Sequence, residues 1–194
     1  MLDIIISDVN KALDAEAYLS ALALMMTIPD ICSKIEYGDS IQRTGDRYIA
    51  WFDEYIGKYQ RLPEEKVDTP FLSGEIAYQL RCAILHEGKP DVDKSKIKEA
   101  INQIDGFTLL VQKKNPFDIY ADSSMVVYHE GSTNGVRSYE INVRGLWVKL
   151  ESAASVFYES HKKDFEAMKI KIDDVDRRNE MLKRMRENHE RYND

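Results

Sequence analysis

Two cysteines in 194 residues are too few for a disulfide scaffold, and Cys32 and Cys82 both stand in apolar, helix-like sequence. Reduced thiols of this kind point to a cytoplasmic protein. No Cys or His residues cluster at zinc spacing, so no metal and no cofactor is expected. The first eight residues, Met1 to Asp8, lack a basic leader and a small-residue cleavage site, which argues against secretion. No apolar run is read as long enough to cross a bilayer, so no membrane partner is expected. Also missing are a Walker loop, a glycine-rich dinucleotide turn, a zinc-protease helix and a nucleophile elbow. There is no internal repeat and no low-complexity tract. A net charge of −7 excludes a general nucleic-acid coat, which needs a broad basic surface. It leaves room for a single local basic site.

What is present is one domain's worth of chain, with 43% hydrophobic residues to build a core. Residues 1–172 read as a single domain and 173–194 as a charged helical tail. The expected fold is mainly α, a helical bundle interrupted by a small sheet. Helical spacing of apolar residues predicts a first helix over 5–27, a short one after Pro29 ending at Gly38, and an amphipathic one over 46–58. Ser73 suits the N-cap of a third long helix that stops before Gly88, and 94–104 carries a further helical pattern. The period then switches. Residues 107–111, 124–129 and 137–143 read as three antiparallel strands, with Asn134-Gly135 signalling a hairpin. A long helix follows from Arg144.

The chemistry-bearing feature lies at the end of the third long helix. Arg81 and His86 sit five residues apart in an otherwise apolar setting. A fixed cation and a proton carrier suffice to cleave a phosphodiester if they meet at a surface. On a regular helix they diverge by about 140°. A shared site therefore needs His86 at a frayed helix end, or a second copy of the helix packed alongside in a two-fold dimer. The bland alternatives are that His86 caps the helix C-terminus and that Arg81 pairs with Glu75, Glu87 or an acid elsewhere. His129 and His161 read as solvent-facing, and Tyr18, Tyr78 and Tyr139 as core and rim aromatics. The basic residues Arg177, Arg178, Lys183, Arg184 and Arg186 are interleaved with acids and read as a solvated helix face.

The Arg81-to-His86 pattern on a buried helix of an all-helical core resembles the HEPN superfamily, as do the phrases Leu80–Gly88 and Thr27–Cys32. The resemblance covers about residues 5–104 and 145–165 and leaves the strands as an embellishment. It implies a metal-independent endoribonuclease of toxin–antitoxin or phage-defence type, a homodimer with RNA as substrate and an antitoxin or other protein as partner. Arg81 would bind the scissile phosphate and His86 would move the proton. Where active members carry a polar residue after the arginine, this chain has Cys82. The second implied reading is a noncatalytic HEPN-like scaffold that binds a partner protein or a nucleotide-containing ligand.

Overall fold

In the computed structural model, the described residues are 1–61, 70–89, 91–111, 123–127, 135–168 and 173–193. The chain opens with α1 (Leu2–Asp14) and α2 (Tyr18–Met25), where the apolar period predicts one helix. The break is a Schellman-type cap. Glu16 takes a left-handed φ of 56°, and the Ala17 and Glu16 amides donate back to Ala12 and Leu13 carbonyls at 2.8 and 3.2 Å. Arg144 Nη2 adds a bond to the Leu13 carbonyl at 2.9 Å, which ties this end to a later helix. Pro29 then sits in the first turn of α3 (Ile28–Tyr37), which Gly38 ends at φ 50°. By length and composition Tyr18–Tyr37 is apolar enough to cross a bilayer, contrary to the reading above. Here it forms two helices whose Leu22, Met25, Ile28 and Cys32 are buried in the core.

Helix α4 (Thr44–Tyr55) lies against α3 and α5 (Gly74–Cys82) and buries Tyr48, Trp51 and Phe52 completely. Ser73 caps α5 by accepting from the Ile76 amide, as its sequence position predicts. Asp53 Oδ1 accepts from the Gly74 amide at 2.6 Å and so holds the start of α5 to α4. Burial pushes the Asp53 carboxyl above its usual range, against the pull of that amide. The approach requires glycine: a Cβ on Gly74 would stand 2.5 Å from the Ile49 carbonyl oxygen and 2.9 Å from Ile49 Cα. Backbone cannot yield as a side-chain tip does. Gly74→Ala is therefore expected to lower stability by about 1–3 kcal/mol, read as a reduced urea midpoint.

The fourth predicted helix does not form. Residues 94–104 hold only two short 3₁₀ turns, Lys94–Lys96 and Ala100–Asn102, separated by extended backbone at Ile97 and Glu99. Side chains take the backbone groups that a helix would pair. Glu75 accepts from the Lys98 amide at 2.9 Å, Gln103 donates to the Ile97 carbonyl, and buried Asn102 accepts from the Phe71 amide.

The sheet is mixed, not antiparallel as predicted. Strand β1 (Gly106–Leu110) runs parallel to β3 (Val136–Asn142), with Phe107 opposite Tyr139 and Leu109 opposite Ile141. Strand β2 (Ser123–Val127) pairs antiparallel on the other edge of β3. The predicted turn at Asn134 and the candidate His129 lie outside the described residues. Asp105 pins the entry to β1: its carboxylate accepts from Lys94 Nζ at 2.9 Å and the Arg137 amide at 2.8 Å. Both donors, Lys94 first, hold the Asp105 carboxyl below the usual range. A depressed folded pKa contributes stability above the unfolded value and loses it as pH falls through the folded one. Asp105→Asn is expected to destabilise by up to about 1 kcal/mol at neutral pH, a difference that closes below about pH 4 in parallel urea titrations.

Helix α6 (Val143–Ser160) starts directly after β3, with Asn142 accepting from the Gly145 amide at 2.9 Å. Its Leu146, Leu150, Ala154 and Phe157 complete the core, and Phe157 meets the rings of Trp51, Tyr55 and Phe165 edge-on. A short α7 (Lys162–Ala167) follows, and α8 (Val175–Asn193) exposes every side chain described on it. Mainly helical architecture with a long C-terminal helix is thus what the sequence predicts and what the chain adopts.

Candidate functional site

Helix α5 does not end as a regular helix. From Ala83 to Glu87 it widens into a π turn, closed by the Gly88 amide donating to the Ala83 carbonyl at 2.7 Å. Gly88 makes the closure at φ 64°, a left-handed conformation that favours glycine. The wider turn reduces the predicted divergence of Arg81 and His86, and the long arginine side chain spans what is left within one chain. Arg81 Nη1 stands 2.5 Å from His86 Nε2. A guanidinium only donates, so Nε2 is the accepting atom in this contact.

The other edge of the guanidinium is fixed from α3. Arg81 Nε donates to Asp30 Oδ2 at 3.2 Å, and both side chains are largely buried, at 17% and 19% exposure. Burial pushes the Asp30 carboxyl above its usual range, and the Arg81 charge opposes this only in part. For Arg81, burial works against the cation but Asp30 more than offsets it, so its pKa rises and the charge is permanent. Asp30 Oδ1 is buried with no hydrogen-bond partner among the described residues. His86, by contrast, is exposed.

Aromatic rings form the floor. The Arg81 guanidinium lies 5.9 Å from the centre of the Tyr78 ring, which in turn tilts against Tyr48 at 5.4 Å. Gly45 on α4 leaves room for Tyr78, since a Cβ there would stand 2.9 Å from the ring. Cys82, directly after Arg81 in the chain, is half-buried and a free thiol.

The structure thus brings Arg81 and His86 together and adds Asp30, which sequence reasoning did not single out. The available signal was an acid in the first turn of a proline-started helix, among apolar neighbours. The remaining candidates stand elsewhere. Tyr139 is buried in β3, and half-buried Tyr18 packs on the core. His161 is not solvent-facing as predicted. It stacks on Phe157 at 4.0 Å, bonds the Phe157 carbonyl through Nδ1 and faces Glu36 with Nε2 at 3.4 Å. In the tail, Arg178 pairs with Asp173 at 2.6 Å. Among the described residues no three His, Cys, Asp or Glu side chains are placed to share a metal ion. Comparison with protein-family models, with curated proteins and with solved structures finds no match to this chain.

Proposed function

We propose that the protein is an endoribonuclease in which Arg81 and His86 cleave RNA without a metal ion. The observation that carries this reading is the contact of an anchored guanidinium with an exposed imidazole across the π turn. Such an imidazole accepts a proton, and a guanidinium fixed on one edge presents its other edge to an anion. A scissile phosphate entering beside Arg81 takes over the donor that His86 now uses. His86 Nε2 then accepts the proton of the ribose 2′-hydroxyl. The 2′-oxygen attacks phosphorus, the bond to the 5′-oxygen breaks, and the leaving oxygen is protonated. The imidazolium formed at His86 by that first transfer returns its proton to the leaving 5′-oxygen. The products are a 2′,3′-cyclic phosphate and a 5′-hydroxyl. A toxin or phage-defence role, with an antitoxin or similar protein as partner, rests on the HEPN resemblance.

Two observations favour the second reading, a noncatalytic module that binds a partner protein and in which the Arg81 pair is structural. The Asp30 carboxylate already neutralises Arg81, and Cys82 is a poor hydrogen-bond donor. End-labelled structured RNAs incubated with the purified protein in a chelator separate the two. Fragments ending in 2′,3′-cyclic phosphate support the nuclease. Intact RNA across several substrates leaves the binding module.

A further inference from the structure

A groove of about 460 Å³ is lined by Leu80 of α5 and by Ala83 and Ile84 of the π turn, and not by Arg81. Helix α2 closes it with Leu19, Ser20 and Ala23, and β1 with Phe107 and Leu109. It exists because Ser20, Ala23 and Ala83 are small where three elements converge. The chain fills its main core with Trp51, Tyr48, Phe52 and Phe157, so bulk is not in short supply. Leu19, at the lip, is 68% exposed, which leaves a large apolar side chain with water where a ligand would cover it. The size falls in the range of small-molecule sites, and the lining has the usual composition of apolar walls with few polar groups. The residues of the lining that carry a polar side chain are Ser20 and Lys89. Lys89 forms an ion pair with Glu87 at 3.8 Å, too long for a hydrogen bond, so a carboxylate that reaches the ammonium at hydrogen-bond distance competes for it.

We propose that this groove binds a small amphiphile with one carboxylate, its apolar body against Ala23, Ala83, Ile84 and Leu109 and its charge at Lys89. An uncharged apolar ligand would leave the ammonium unused, and a dianion would set its second charge beside Glu87. The assignment does not depend on RNA cleavage.

The test is calorimetric titration of the full chain with decanoate and with decanol, below micelle-forming concentrations. Ser20 and Lys89 are both exposed, so Ser20→Trp and Lys89→Glu are expected to keep the fold, checked by circular dichroism. Decanoate is expected to bind saturably at one site, several-fold more weakly in Lys89→Glu, and not at all in Ser20→Trp, whose indole fills the groove. Decanol is expected to bind wild type and Lys89→Glu alike. Absence of saturable binding, or binding that survives Ser20→Trp, overturns the site. Equal loss of both ligands, or of neither, in Lys89→Glu overturns the anionic class. Sedimentation of wild type as a dimer that Ser20→Trp dissociates assigns the groove to a second copy instead.

Discussion

His86→Ala is expected to lower RNA cleavage by about 10²–10⁴-fold, the contribution of a positioned proton carrier. The effect should fall on turnover, because an exposed imidazole adds little to binding. Arg81→Lys should lose a comparable share despite keeping the charge. A guanidinium reaches Asp30 through Nε and the reaction centre through Nη1 at once, and a single ammonium cannot do both. Single-turnover rates on one end-labelled RNA measure both variants. Full activity in His86→Ala would remove His86 from the mechanism.

The second large effect is on stability. Arg81→Met leaves the Asp30 carboxylate buried without its cation, with Oδ1 already unpartnered. Breaking a buried pair from one side costs about 3–5 kcal/mol, and with both side chains about a fifth exposed the lower end applies, about 3 kcal/mol. The loss depends on pH. Without Arg81 the folded pKa of Asp30 rises further above its unfolded value, so ionisation opposes folding above about pH 4 and the penalty fades in acid. Replacing both partners, Asp30→Leu with Arg81→Met, should recover most of the stability and none of the cleavage. Urea denaturation of the four proteins of this cycle reads the coupling directly. Unchanged stability in Arg81→Met would show that the ion pair does not form in solution.

These predictions rest on features of unequal visibility in the sequence. The ends of α5 are legible, because Ser73 caps it and Gly88 supplies the left-handed residue. The π turn between them is not. Ala83 to Glu87 are ordinary helix formers, and only the five-residue closure to Gly88 shifts His86 toward the face of Arg81. Asp30 is 51 residues from Arg81, so no local pattern joins them. The break after α1 is hidden because Glu16, a poor left-handed residue, takes the position that glycine usually marks. In 94–104 the helical period is present, yet Glu75 takes the Lys98 amide from outside the segment and Gln103 the Ile97 carbonyl from within it, while Asn102 turns to the Phe71 amide. Strand positions follow from alternation and β-propensity. The parallel pairing of β1 with β3 depends on a crossover of more than a dozen residues, whose path a local pattern does not encode.

The most direct test of the RNA-cleaving pair is to follow one mapped RNA oligonucleotide and the same oligonucleotide with a single 2′-deoxynucleotide at the scissile position, both in chelator. If Arg81 and His86 act on a nucleophile supplied by the RNA, the all-ribose strand is cut and the substituted strand stays intact at that position. Cleavage of the deoxy-substituted strand at the same bond would contradict the account, because the nucleophile would then be water or a protein group.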